Sequence, residues 1–502
     1  MEPLVIAIII GYFALMVAIG WWAKRKTSSA KEFLVAGQTL GFLVMAIASF
    51  SSIQSGWGMV GSTGTTYDWG PQALIGSALF IPLGFAVAWF LLGTRLHRAA
   101  RKHQIYSVPD LIKARYQSKS AHVTMSVAML IGSISYMTAQ VTATGVIISL
   151  LTGTSPATGA WIGSAIVAAY TVAGGMLAAV WTDLIQGLLM IVISVGLFFY
   201  AVNEAGGWRN MLDSIWQEDP TLLSADGSMP AVFIVGFAVM ILFGAAGQPQ
   251  LVTKFLMLKD EKELKWGAAV AGISYAVTTL FSLGVGLSMR AMTIQGRAEP
   301  LDNIDNTATV FLDAFTHPVV AGIALVGLLA AIMSSASSFI TIGAASAVRD
   351  LTGSLGRVVR RELLWNRVAS VGVVLAALLF ALYLSQVIFL LGAIGWAAFG
   401  AAILGPLALG LFWRRATAVA TTVTIVVSLL GNLVITVATS QGWLTLPDYF
   451  YLGGVVIAFS TVLFIALSYV TAKPADADKL AQLYEPDQST AVAQPATAAV
   501  DR

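Results

Sequence analysis

Ala331, Ser334, Ser335 and Ser338 recur at i, i+3, i+4 and i+7 within the run Ala330-Ala331-Ile332-Met333-Ser334-Ser335-Ala336-Ser337-Ser338. On a helix that spacing puts three hydroxyls on one face, beside a small residue over which another backbone can approach. Sodium, like other hard cations, prefers oxygen ligands, and such a stripe offers them. The alternative use of these serines is structural, with hydroxyls bonding back to their own helix or joining neighbouring helices. Asp183 is the second residue with chemical potential, because it alone of the 25 Asp and Glu falls inside an apolar run. A carboxylate at membrane depth is costly unless paired. It sits near the start of its run, so a wet interfacial position is the alternative. No Lys or Arg falls inside any expected span, which leaves a bound cation or a proton as the expected partner. The chain has no cysteine, and its four histidines are not at metal-like spacing. Disulfides, thiolate metal centres and redox chemistry are therefore not expected.

The elements that must position these residues are unusual. Ser51-Ser52-Ile53-Gln54-Ser55-Gly56-Trp57-Gly58 and Gly244-Ala245-Ala246-Gly247-Gln248-Pro249-Gln250 interrupt otherwise apolar runs. Unwinding there frees backbone groups that hydrocarbon cannot satisfy, so each break must face protein, an ion or water. Close helix crossings, rich in Gly and Ser, are the structural alternative. The interrupted runs are the second and the seventh along the chain. Two five-span repeats, each opening with a broken helix, would account for that, and an odd span number inverts the second copy across the membrane. The freed carbonyls of span 2 would then oppose the hydroxyl stripe of span 9.

With 57% hydrophobic and 11% charged residues, the 502-residue chain must use lipid as its solvent. Apolar runs near the ~20 residues needed to cross a bilayer predict thirteen spans, near 3–23, 41–64, 71–92, 121–151, 156–173, 179–202, 231–252, 266–288, 318–345, 368–384, 387–413, 418–437 and 449–470. With the N-terminus outside, the inner loops and tail collect 25 of the 28 Lys and Arg, leaving Arg209, Arg290 and Arg297 outside. That asymmetry predicts a multi-pass protein of the plasma (inner) membrane, N-out and C-in. The first run precedes Lys24-Arg25-Lys26 without a small-residue cleavage site, so it reads as a retained span. A net charge of +3 gives no reason to expect a nucleic-acid partner.

Several motifs together resemble the sodium/solute symporter family, most closely its bacterial sodium/proline and sodium/pantothenate branch. They are Ser55-Gly56-Trp57, Tyr170-Thr171-Val172-Ala173-Gly174-Gly175 followed by Trp181-Thr182-Asp183, Gly247-Gln248-Pro249, and Ala330-Ala331-Ile332-Met333-Ser334-Ser335. The resemblance implies an all-α, leucine-transporter-type core. Residues 1–40 would hold an extra helix and the first cytoplasmic loop, 41–203 and 231–413 the two inverted repeats, and 204–230 an extracellular loop. Two further helices would fill 414–472, and 473–502 would be a disordered cytoplasmic tail. It further implies a sodium site at Ser51, Gln54, Ala331, Ser334 and Ser335, and in some members a second at Asp183, Ser334, Ser337 and Ser338. Solute contacts would come from Ser55, Gly56, Trp57, Tyr136, Gln140, Gln248 and Pro249. The chain departs from the proline-carrier pattern at Ile53, Ile241 and Ala245. The implied cargo is therefore a small polar solute, an amino acid such as proline or a small carboxylate, without specifying which.

The expectation is a sodium-coupled symporter working by alternating access, in contact with lipid and without an organic cofactor. Proton coupling through Asp183 is the alternative within transporters, and a transporter-like sensor is a more distant one. A membrane enzyme is not expected, since the spans show no histidine cluster, paired carboxylates or activated nucleophile.

Overall fold

The computed structural model describes residues 3–224, 230–357, 359–383, 388–445 and 452–484. Among them the regular structure is helical, apart from one isolated parallel bridge between Leu40 and Leu258. The principal helices are α1 (Pro3–Lys26), α2 (Phe42–Ile53), α3 (Trp57–Trp69), α4 (Pro71–His103), α5 (Val108–Tyr116), α6 (Lys119–Thr152), α7 (Pro156–Glu204), α8 (Trp208–Glu218) and α9 (Ala231–Gly244). They continue with α10 (Pro249–Leu256), α11 (Gly267–Ile294), α12 (Thr307–Phe315), α13 (Pro318–Ser354), α14 (Glu362–Tyr383), α15 (Ile388–Ile403), α16 (Ala418–Ser440), α17 (Leu452–Thr471) and α18 (Pro474–Tyr484).

Among the described residues ten helices are long and apolar enough to cross a membrane, or eleven if α2 and α3 make one bent span. The count of thirteen expected spans is not confirmed: the runs 156–173 and 179–202 lie in one 49-residue helix, α7, and α15 begins at the edge of the described residues. A straight helix of α7's length would measure about 73 Å against a hydrocarbon core of about 30 Å. It bends instead at Gly175, whose φ of 58° and ψ of −145° lie where only glycine is comfortable. A Cβ there would also collide with the Phe33 ring and lie 2.7 Å from the Phe33 carbonyl oxygen.

The centre of the molecule is α13, buried at every residue from 324 to 346 and packed against α1, α6, α7 and α14. Lipid-facing surfaces elsewhere carry large apolar side chains such as Phe90, Val192 and Val470. In a lipid solvent these need no cover.

Both interruptions read from the sequence are breaks. Helix α2 ends as Gln54 turns extended (φ −67°, ψ 127°), and α3 leaves at 62° to it. Ser55, Gly56 and Gly58, three weak helix formers within four residues, hold a helix poorly, and the Ser52 hydroxyl already bonds back to Ala48 O at 2.7 Å. Helix α9 tightens into a 3₁₀ turn at Ala245–Gly247, Gln248 is extended, and Pro249 opens α10. Proline explains both halves of that break, since it disfavours a helical residue before it and suits the first helical position.

The two broken helices are joined at one membrane face. Leu40 N donates to Met257 O at 3.2 Å, Lys259 N to Leu40 O at 2.9 Å, and the Glu263 carboxylate accepts from Phe42 N at 2.7 Å at the start of α2. A carboxylate at a helix N-terminus is favoured by the helix dipole.

The expectation of a disordered tail from residue 473 needs correction. Residues 474–484 form α18, with Leu483 buried and Gln482 and Leu483 accepting from Lys102 and His103. The composition concealed this because α18 buries few side chains and is held largely by polar contacts to its backbone. The remainder of that tail, 485–502, lies outside the described residues.

Candidate functional site

The unwound end of α2 lies against the hydroxyl face of α13. Ser334 Oγ donates to Ser51 O at 2.7 Å and to Ala331 O at 3.0 Å. Ser335 Oγ donates to Ser52 O at 3.0 Å and to Gln54 O at 3.1 Å. All these residues are fully buried. Four backbone carbonyls and two hydroxyls thus converge where one helix has given up its own hydrogen bonding. The set is rich in oxygen, free of formal charge and shielded from water. Ser52 was not among the residues singled out from the sequence, because its contribution is a carbonyl that any residue would supply.

The residues mapped to a second cation site are arranged differently. Asp183 Oδ2 accepts from Lys254 Nζ at 2.7 Å, and neither side chain has exposed surface. The expectation that no basic residue would reach Asp183 is therefore wrong. Lys254 lies just past the expected end of span 7 at residue 252, in the last turn of α10. The signal that could have found it is the apolar stretch Phe255-Leu256-Met257-Leu258, which resumes beyond the lysine. Ser337 Oγ donates to Ser334 O at 3.0 Å, while Ser338 Oγ and Asp183 Oδ1 are buried without a partner. Among the described residues no hydrogen bond joins Asp183 to Ser334, Ser337 or Ser338.

Around the break in α2 the structure gathers five of the candidate solute contacts. Gly56 N donates to Gln140 Oε1 at 3.0 Å, and the Ser55 and Tyr136 hydroxyls are 3.4 Å apart. Trp57 lies against Trp396 of α15, with ring centroids 5.5 Å apart. Gln140 Nε2 is buried without a partner. Gln54 Nε2 turns away to Thr278 of α11 at 3.0 Å. Gln248 belongs to the other break, where its amide donates to Gly244 O at 3.1 Å and to Trp396 O at 3.2 Å. Pro249 is buried beside it. Trp396 therefore connects the two breaks: its ring meets Trp57, its carbonyl holds Gln248, and its indole N–H donates to Met240 O at 3.1 Å. Phe339, 4.5 Å from Tyr136 and 5.7 Å from Phe399 between centroids, completes an aromatic wall. Neither Trp396 nor Phe339 was singled out, since an aromatic residue in an apolar run is more often packing than site.

Residues 33–421 match the model of the sodium:solute symporter family. The chain is 27% identical over 423 residues to the high-affinity proline transporter PutP of Bacillus subtilis, covering 80% of this chain and 86% of that one. It is 26% identical over 431 residues to the sodium/pantothenate symporter of Escherichia coli, covering 83% and 87%. Among solved structures it resembles a Na⁺-coupled sialic acid symporter in a substrate-bound outward-open state, with a TM-score of 0.77 at 19% identity over 94% of this chain and 99% of that one. The structure of MhsT in complex with L-phenylalanine follows at a TM-score of 0.55 and 15% identity, over 89% and 99%. These likenesses identify the leucine-transporter-type fold. With a family match over most of its length, relatives that are transporters rather than enzymes, and broken helices in that fold, the chain is a multi-pass membrane transporter belonging to the sodium:solute symporter family.

Proposed function

We propose that this transporter imports a small polar organic solute, an amino acid such as proline or a small carboxylate, together with sodium. The observation that carries the reading is the convergence of Ser334 and Ser335 on the carbonyls of Ser51, Ser52 and Gln54. Without a cation, the hydroxyls give their protons to those carbonyls. With sodium between them, hydroxyl and carbonyl oxygens all turn their lone pairs to the ion. Sodium then replaces hydrogen bonds that clamp the end of α2 to α13, and this couples ion binding to the shape of the break. The break also presents Ser55 to Tyr136, Gly56 to Gln140 and Trp57 to Trp396, so ordering it for the ion orders the solute contacts as well. Each ligand favours the other by that shared element. The polar groups among the solute candidates carry no formal charge, so recognition of either kind of solute rests on hydrogen bonds rather than on a fixed counter-charge.

The ammonium of Lys254 already neutralises Asp183, and this supports one sodium per cycle rather than two. At a membrane potential of 100 mV one charge contributes about 2.3 kcal/mol, a roughly 40-fold accumulation from voltage alone. We assign residues 41–203 and 231–413 to the two inverted repeats, the N-terminus to the outside and the C-terminus to the cytoplasm. Relatives that carry proline and pantothenate support the solute class. The test is uptake of a panel of labelled amino acids and carboxylates into proteoliposomes with sodium and proton gradients imposed separately. Sodium-driven accumulation of a panel member is the expected result. Accumulation driven by the proton gradient alone would replace sodium by a proton, for which Asp183 is the candidate carrier.

A further inference from the structure

Beyond the serines, α13 runs on to Asp350, which is fully buried. Helices α5 and α6 bring Asp110 and His122 against it. One carboxylate oxygen from each aspartate and one ring nitrogen of His122 all lie within 4.8 Å of one another. Two polar atoms in this cluster are buried without a partner, Nε2 of His122 and Oδ2 of Asp350. The other Asp350 oxygen accepts from Ser107 Oγ at 2.8 Å. Asp110 Oδ2 accepts from Tyr106 N and from Arg349 Nε, both at 3.2 Å, and Arg349 also reaches Glu362 at 3.2 Å. One guanidinium thus serves two carboxylates and leaves Asp350 without a cationic partner of its own. A cavity of about 820 Å³, lined in part by Asp110, Lys113, His122 and Arg349, opens beside the cluster.

Two carboxylates held this close repel unless a proton or a cation stands between them. An imidazole nitrogen with no partner in the same place favours a cation that accepts mixed nitrogen and oxygen ligands. Calcium and magnesium prefer oxygen throughout, whereas zinc and its neighbours take imidazole with carboxylate, in four-coordinate sites that leave one position to water. The cavity can supply that water.

We propose that Asp110, His122 and Asp350 form a binding site for a divalent first-row transition cation such as zinc. The ion ties α5 and the start of α6 to the end of the helix that carries Ser334 and Ser335. Twelve residues of helix, about 18 Å, separate Asp350 from Ser338. A bound ion therefore resists any rearrangement that separates α13 from α6, and acts as a brake on transport. The binding claim is independent of which ion or solute is carried.

The test uses the full chain purified in detergent, stripped with chelator and titrated with zinc chloride while thermal unfolding is followed. Zinc at about 100 μM is expected to raise Tm by roughly 2–4 °C, with calcium giving no comparable rise. H122Q and D350N are each expected to weaken zinc binding about 100-fold, while H103Q, which alters an exposed histidine on the same cavity, retains it. Copper(II) bound to the unmutated chain should show imidazole nitrogen in pulsed EPR, a readout that does not depend on a buried variant folding. Equal stabilisation by calcium and zinc would overturn the proposal, as would unchanged zinc affinity in folded H122Q or a copper signal without nitrogen. Absence of any zinc effect on the unmutated chain would leave a shared proton as the occupant and would overturn it too.

Discussion

An ammonium and a carboxylate 2.7 Å apart with no exposed surface hold one another in place, and neither is tolerable alone. Lys254→Met leaves the Asp183 charge buried and unpaired, so it should cost about 3–5 kcal/mol of stability. Adding Asp183→Asn to that variant should restore most of the loss. Thermal unfolding of the two single variants and the double variant measures the coupling, and additive losses would show that the residues act separately. The serines make a different prediction. Ser335 alone serves two carbonyls of the unwound segment, those of Ser52 and Gln54. Under the proposed sodium coupling, Ser335→Ala removes a contact worth on the order of 1–3 kcal/mol, so half-maximal sodium for uptake should rise from about 5-fold to about 100-fold. Unchanged sodium dependence would take Ser335 off the ligand set.

At the scale of elements, Gly175 allows the bend inside α7, and Arg115 is one of the residues that dock α18. Gly175 adopts a backbone conformation that side chains avoid, and Phe33 fills the space where a Cβ would go. Gly175→Ala should therefore cost on the order of 2–4 kcal/mol, seen as a lower Tm and a poorer yield of folded protein. Its effect should exceed that of the same change at Gly196, where a Cβ would meet nothing within 4 Å. Arg115, at the end of α5 and only 1% exposed, donates to Gly410 O at 2.6 Å, Trp413 O at 3.0 Å and Asp476 O at 3.4 Å. It joins α5 to the turn before α16 and to α18. Arg115→Met keeps the apolar stem and leaves those carbonyls without a donor, a loss of roughly 3 kcal/mol. Limited proteolysis should then cut near α18 faster than in the unmodified chain. Neither joint was visible in the sequence beyond the Gly174-Gly175 pair. A positive φ can be anticipated from glycine, but a guanidinium 295 residues from its acceptor cannot.

At the scale of the molecule, the basic residues predict a single orientation, and the absence of cysteine makes it simple to test. Arg209→Cys, at a side chain 95% exposed on α8, should react with a membrane-impermeant maleimide in intact cells. Arg357→Cys, exposed on the segment after α13, should react only after permeabilisation. The reverse pattern would invert the assignment.

Hydrophobic content, the spacing of the runs, the glycine, serine and proline interruptions and the hydroxyl stripe follow from the sequence alone, because lipid solvation and helical periodicity act on residues close together in the chain. Those local rules set which face of a helix is special without setting what it meets. The Ser335 contacts span more than 280 positions, Asp183 meets Lys254 71 positions away, and Trp396 links two breaks from a third helix. The cluster of Asp110, His122 and Asp350 likewise draws on three separate helices. Such pairings depend on how the helices cross, which is settled by packing the whole set at once. Tertiary structure therefore decided that the buried carboxylate has a lysine for its partner, and that the carbonyls of the broken helix lie within reach of the serines.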